Sequence, residues 1–448
     1  MKLEELKNKK ILIVGKGIEG NAAYKYLHRH LPNAVIDIVD QKDGDNYLDQ
    51  QENYDIAIKS PGVKKELIKI PYTTSTNIFL ANSKGKTIGI TGTKGKSTTA
   101  TLIYKMLKKS FDSAQDKDAY LGGNIGQSPL DFIDKLNDDS WTVLEMSSYQ
   151  LSDLKVSPAR NASASVAGGP HIAVVLMILE EHLDYHKTFA AYVNAKRNIL
   201  RFQTPQDFAI INKDYPANHE SDIFTKGKVF QISRDREVHN GCFVKDKSVW
   251  ITRDGKEEKI ITIDKIKLLG SHNLENVCAA ACVATLLGCS KANIVKVLEE
   301  FGGLEHRLEF IGEKNGITFY NDSLATIPKA TIEAMEALPS TETLIAGGHD
   351  RGLDYSSLAK YLNKGQIKTL ILFPPTGVRI WEEICGIISE SSRPEKFDVK
   401  TMEQAVRIAA AETAPHKICL LSPASASFGI FKDYKDRGEQ FKKEVNKL

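Results

Sequence analysis

At 448 residues the chain is long enough for about three domains of ~150 residues each. Its content of 42% hydrophobic and 26% charged residues is ordinary for a globular protein. A net charge of +3, with no Lys/Arg run interleaved with aromatics, argues against a nucleic-acid partner.

The opening "MKLEELKNKK" lacks the apolar stretch of a secretory signal. The longest apolar run, "IAVVLMIL" at 172–179, falls well short of the ~20 residues of a membrane span. A cytoplasmic chain without a membrane partner is therefore expected. The six cysteines show no C-x-x-C spacing. Cys278 and Cys282, in an Ala-rich helical pattern, read as small core residues in a reducing compartment.

The first block runs to residue 83. "KKILIVGKG" has the pattern of a buried strand ending in glycine, "IEGNAAYKYLHRH" has helical spacing, and "AVIDIVD" and "DIAIKSPG" are further strands. "GKGIEG" (15–20) thus sits between strand and helix, and Asp40 ends the next strand, a pattern that matches the dinucleotide fingerprint. The alternative is a turn that needs glycine only for tight packing. Eighty-three residues suffice for one mononucleotide half, so a diphosphate ligand other than NAD is expected.

The second block, 84–304, opens with strand "KTIGI", the loop "TGTKGKSTT" (91–99) and a helix from Ser97. Ile90 stands where the pattern G-x-x-x-x-G-K-[ST] begins with Gly, but the strand–loop–helix context and the G-K-S-T run are intact. Backbone N–H groups from Gly92, Thr93, Lys94, Gly95 and Lys96, with Thr98 in the same turn, suit ATP or GTP phosphates. Lys96 would reach the β- and γ-phosphates, and Ser97 would sit on Mg²⁺. Glu145 ends the strand "WTVLE" and is placed to hold Mg²⁺ directly or through water. Strands "HIAVVLMI" and "FAIIN" and a helix over 272–288 follow. In "EEHLDYH", His182 and His186 are four apart, but Leu183 replaces the Glu of H-E-x-x-H, so zinc hydrolysis is not expected.

The third block, 305–448, alternates strands ("ITFYND", "TLIAGG", "TLILF", "KICLLSPA") with helices ("IPKATIEAMEAL", "MEQAVRIAAAE"). "NDS" (321–323), "GGHDRG" (347–352) and "SPASAS" (422–427) each follow a strand directly. Arg351, Asp322 and several hydroxyls would face one crevice suited to a small anion, with helix capping as the alternative. The whole pattern predicts an α/β protein with mostly parallel sheets: a Rossmann-like N-terminal unit (1–83), a central P-loop ATPase-type domain (84–304) and a Rossmann-like C-terminal domain (305–448). "FDSAQDKD" (111–118) and "SPARNASASVAGG" (157–169) lack periodicity and read as surface insertions.

In motif order, nearly the whole chain resembles the Mur ligases, ATP-dependent amide ligases of peptidoglycan synthesis. "ILIVGKGIEG", "SPGV", "EMSSYQL", "AYVNAKRNI" and "LLSPASASFGIFKDYKDRGEQF" are most similar to members that add D-glutamate to UDP-N-acetylmuramoyl-L-alanine. The resemblance implies that Ile18, Glu19, Asp40, Gln41, Lys42 and Gly62 contact the uridine diphosphate and that Asn124 meets the same substrate. It implies ATP and two Mg²⁺ ions. Lys96 and Ser97 serve the phosphates and the first ion, together with Glu145; His182 and a carbamylated Lys196 hold the second. Lys96, His182 and Lys196 are the catalytic set. Asn273, His306, Arg307 and Asp322 belong to the nucleotide, and Thr326, Arg351, Ser427, Phe428 and Tyr434 to D-glutamate.

A monomer is expected. Leu324 departs from the family's "NDSKAT", Met177 replaces an Asn common before the metal-binding histidine, and the 157–169 segment lies between Glu145 and His182. The alternatives are a Mur ligase with another amino acid, a folylpolyglutamate synthetase, and a catalytically weakened nucleotide- or UDP-sugar-binding homologue. The synthetase lacks the N-terminal UDP unit, so "GKGIEG" with Asp40 argues against it.

Overall fold

The computed structural model describes residues 1–111, 118–155 and 169–448, so both segments read as insertions lie almost wholly outside the described residues. The chain forms two compact units. One comprises Met1–Lys267 with Ser271–Phe301, the other Leu268–Gly270 with Gly302–Leu448.

The first unit holds two sheets. Strands β1 (Ile11–Val14), β2 (Ile36–Val39), β3 (Ile56–Lys59) and β4 (Tyr72–Thr73) form a parallel sheet in the order β2-β1-β3-β4. The interior strands β1 and β3 are buried along their whole length, as continuous apolar runs in a parallel sheet should be. Between β1 and the helix Ile18–His30, Gly15 has φ +108°, and a Cβ there would lie 2.6 Å from Ser60 Oγ. Only glycine fits that turn.

The second sheet contains β5 (Lys86–Thr91), β6 (Ala119–Gly123), β7 (Trp141–Glu145), β8 (Ile172–Val175), β9 (Phe208–Asn212), β10 (Lys228–Ser233), β11 (Gly241–Lys245), β12 (Ser248–Arg253) and β13 (Lys256–Thr262). Their order is β13-β12-β11-β10-β9-β8-β5-β7-β6. Pairing is parallel from β11 through β6 and antiparallel across β11, β12 and β13. The two hairpins turn on Asp246–Lys247 and Asp254–Gly255, all at positive φ, the conformation that matches strand twist in a two-residue turn. Strand β8 covers only half of the apolar run expected there.

One apolar core joins these two sheets, running from Ile13 and Ile58 through Phe79 to Phe132, Leu144 and Ile199. Within it Lys59 Nζ lies 2.8 Å from Asp153 Oδ2, with both side chains almost fully buried.

The second unit carries β14 (Glu309–Lys314), β15 (Ile317–Asn321), β16 (Thr341–Gly347), β17 (Thr369–Phe373), β18 (Glu395–Asp398) and β19 (Ile418–Leu421) in the order β14-β15-β19-β16-β17-β18. All pairings are parallel except β14 with β15. The expected α/β architecture is present, with antiparallel additions at sheet edges that the sequence reading missed. All six cysteines are free thiols, five of them buried. Among the described residues no helix is long and apolar enough to cross a membrane.

Candidate active site

The loop after β5 is moulded around two glycines. Gly92 has φ +156° and Gly95 φ +83°; a Cβ would come to 2.8 Å from Leu176 Cβ at the first and 2.2 Å from Asn276 Oδ1 at the second. Ile90, where the motif asks for glycine, is instead an interior strand residue, fully buried and paired with Glu145 and Val174. The bend starts two residues later, so a side chain at position 90 costs nothing. The helix Lys96–Phe111 begins one residue earlier than expected. Thr93 anchors the loop: its N–H donates to Met177 O at 2.6 Å, and its hydroxyl exchanges hydrogen bonds with Leu179 N and O. Met177 thus contributes through its backbone.

Lys96 Nζ curls back to donate to Gly92 O and Thr93 O, both at 3.0 Å. Lys196, from the helix Phe189–Arg201, donates to the same Gly92 O at 2.7 Å and lies 4.7 Å from the Tyr192 ring centroid. Burial, and then the neighbouring Lys96 charge, push the Lys196 pKa well below the ordinary lysine value. The amine is therefore held toward its neutral, nucleophilic form.

Glu145, 3% exposed at the end of β7, accepts from Ser97 Oγ at 2.6 Å and from Asn124 Nδ2 at 3.0 Å. A carboxylate and a hydroxyl converging beside a phosphate loop are hard-oxygen donors that fit Mg²⁺, while the Asn124 amide nitrogen holds the carboxylate in place. His182 has φ +58°, and its Nδ1 lies 3.1 Å from Tyr149 OH. Its ring and the Lys196 amine both pack on Tyr192. His186 instead turns to Ser148 Oγ at 3.0 Å, so the two histidines do not act as a pair. Among the described residues no three His, Cys, Asp or Glu side chains form a ready metal cluster. The carboxylate beside His182 is that of Glu181, with Oε2 3.6 Å from His182 Nε2.

At the first sheet, the Asp40 carboxylate accepts from Lys16 N at 2.7 Å and Lys42 N at 3.1 Å, bonds that hold its pKa below the usual range. Ile18, Gln41, Lys42 and Gly62 are exposed. Glu19 differs from them. Its Oε1 accepts from Gln150 Nε2 at 2.5 Å, Oε2 is buried without a hydrogen-bond partner, and burial raises its pKa to about 7. Gln150 Oε1 is committed to Ser147 N at 2.8 Å, which fixes the amide's orientation and makes Nε2 the donor.

In the second unit, two strand-end loops meet on one side chain missed in the sequence, Arg437. It donates from Nε to Ser323 Oγ at 2.9 Å, from Nη2 to Ser323 O at 2.8 Å, and from Nη1 to Ser425 O at 3.1 Å and Ala426 O at 3.3 Å. The buried Asp322 accepts from Ser422 Oγ at 2.9 Å and Leu308 N at 3.2 Å. His306, at φ +62°, accepts at Nδ1 from Asn321 Nδ2 at 2.9 Å. Arg307, Arg351 and Phe428 are exposed, Thr326 and Tyr434 half-buried, and Ser427 buried. Asn273 starts the helix Asn273–Leu286 in the first unit and accepts from Asn276 at 2.8 Å.

Two family models match the chain: the Mur ligase middle domain over residues 90–284, and the Mur ligase, glutamate ligase domain over 306–425. A UDP-N-acetylmuramoylalanine--D-glutamate ligase from Acetivibrio thermocellus is 32% identical, with 99% of this chain and 98% of the relative covered. The enzyme of that name from Thermoanaerobacter sp. is 34% identical, with 99% of each covered. Among solved structures, a MurC ligase from Thermotoga maritima superposes with TM-score 0.57 at 17% identity, covering 98% of this chain and 100% of that one. A MurF ligase from Thermotoga maritima in complex with ADP gives 0.56 at 17% identity, covering 99% and 97%. At that identity the likeness is one of fold.

Proposed function

The chain belongs to the Mur ligase family, and from that premise we propose that it joins D-glutamate to UDP-N-acetylmuramoyl-L-alanine at the expense of ATP. It works as a monomer in the cytoplasm. The observation that carries the reading is the Ser97–Glu145 hydrogen bond beside a glycine-moulded phosphate loop.

A carboxylate is a poor electrophile, so the alanyl carboxylate first attacks the ATP γ-phosphate, giving an acyl phosphate and ADP. The D-glutamate amine then attacks the acyl carbon, and phosphate leaves from a tetrahedral intermediate. Loop N–H groups and Lys96 receive the phosphates, Lys96 exchanging the Gly92 and Thr93 carbonyls for phosphate oxygens. Ser97 with Glu145, and His182 with a carbamylated Lys196, would hold two magnesium ions. These supply charge neutralisation where carboxylate and triphosphate meet. Ile18, Asp40, Gln41, Lys42 and Gly62 bind the uridine diphosphate. The Glu19 carboxyl, its pKa raised to about 7 by burial, is only about half ionised near pH 7 and so repels less there than an ordinary carboxylate. Asn124 orients the substrate; Asn273, His306, Arg307 and Asp322 serve the nucleotide. Thr326, Arg351, Ser427, Phe428 and Tyr434 take D-glutamate, Arg351 offering a fork that suits a carboxylate.

Phosphate release from ATP, Mg²⁺ and UDP-N-acetylmuramoyl-L-alanine tests this, with D-glutamate, L-glutamate, L-lysine or diaminopimelate supplied in turn. Release stimulated by D-glutamate alone is expected. Release indifferent to the amino acid, or none, would sink the reading.

A further inference from the structure

The first turn of the helix Asn273–Leu286 is gripped on two sides. On one side, Asn276 Nδ2 donates to Asn273 Oδ1 at 2.8 Å, while Asn276 Oδ1 accepts from Thr99 Oγ1 at 3.1 Å. That oxygen also occupies the space a Cβ on Gly95 would need. This side of the helix is therefore fitted to the phosphate loop.

The other side is held by Glu275, which is 4% exposed. Its Oε2 accepts from Asn212 Nδ2 at 2.7 Å and its Oε1 from Tyr215 OH at 2.8 Å, with Arg234 Nη1 at 3.3 Å from Oε1. Asn212 is the last residue of β9 and Arg234 follows the last residue of β10. Asp214 braces the same corner, accepting from Ser233 Oγ at 2.5 Å and from Arg234 N at 2.9 Å. An acidic residue in a first turn gains from the helix dipole wherever it points. Three donors from two strand ends do more: they set the helix's rotation about its own axis. Residues three apart share a face and their neighbours do not, so Asn273 and Asn276 are aimed at the loop from one side while Glu275 is pinned on another.

We propose that Glu275 is a positioning residue for the nucleotide, locking the first turn to the ends of β9 and β10 so that Asn273 and Asn276 meet the phosphate loop. The inference rests on the ATP reading of that loop.

Steady-state kinetics test it. Glu275→Ala should raise KM for ATP about tenfold, with kcat and the KM values for the other two substrates changed by less than about twofold. Tyr215→Phe, which deletes one donor and little volume, should raise KM for ATP about threefold and decides the matter if Glu275→Ala does not fold. Because Glu275 acts through the asparagine face, adding Glu275→Ala to Asn276→Ala should cost less than about twofold more. An unchanged KM for ATP, an equal loss for all three substrates, or fully additive effects would overturn the proposal. A wild-type chain without ATP-dependent phosphate release would instead fail the ligase reading before any variant is made, and the proposal with it.

Discussion

Lys96 and Lys196 donate to one acceptor, the carbonyl oxygen of Gly92, at 3.0 and 2.7 Å. Two ammonium groups on one oxygen repel, and burial of Lys196 resolves the conflict by favouring its neutral amine. A neutral amine adds CO₂, giving a carbamate on a long stem. Lys196→Ala should therefore lower kcat by about 10²–10³-fold while ATP still raises the melting temperature. Wild-type turnover should fall when dissolved CO₂ and bicarbonate are stripped and return when they are restored. Full activity in Lys196→Ala, or indifference to CO₂, would contradict the assignment.

Lys59 and Asp153 form a buried ion pair between β3 and the segment that follows the helix Ser148–Ser152. Tyr72 OH donates to the same carboxylate at 3.0 Å, and Lys59 Nζ also donates to Val63 O at 2.9 Å. Removing one partner strands a charge in the core. Lys59→Met should cost about 3–5 kcal/mol in chemical denaturation, whereas Lys59→Met with Asp153→Leu should recover most of it. Equal losses in the single and double variants would show that the pair is worth its full Coulombic attraction.

How much of this was readable in advance depended on sequence distance. The loop 91–99 and the Asp40 turn are made by residues adjacent in the chain, so glycine, strand and helix start announce them together. Thr99 and Asn276 are 177 residues apart, Glu19 and Gln150 are 131 apart, and Ser323 and Arg437 are 114 apart. No local pattern distinguishes these partners from solvated polar residues. The strands β10 to β13 were missed for a different reason. They form a sheet extension whose outermost strand exposes "KEEK", so the apolar alternation that marks a half-buried strand is broken.

Arg437 lies fully buried in the helix Tyr434–Asn446, with no carboxylate among its hydrogen-bond partners. Burial lowers its pKa to about 9, still charged at neutral pH. Its fork spans Ser323, Ser425 and Ala426, which an ammonium cannot do. Arg437→Lys and Arg437→Ala should both destabilise the second unit by about 3 kcal/mol or more and raise KM for D-glutamate. Substantial rescue by lysine would show that charge alone, and not the fork, holds the loops.

Asp322 gives the pH test. Burial raises its pKa from 3.8 to about 7 against the pull of Ser422, Leu308 N–H and Arg307, with Glu333 adding to the rise. The folded chain thus holds a proton that the unfolded chain releases from about pH 4 upward. The stability this contributes is fully present below pH 3.8 and is lost as pH rises through about 7. Its size is about 4 kcal/mol at most. Asp322→Asn keeps the shape but cannot ionise. Melting temperatures followed from pH 5 to 8 should fall for the wild type relative to Asp322→Asn, with the divergence growing up to about pH 7 and levelling off above it. Parallel curves, or a wild type that gains on the variant as pH rises, would mean that Asp322 is ionised in the folded chain and that its hydrogen bonds outweigh burial.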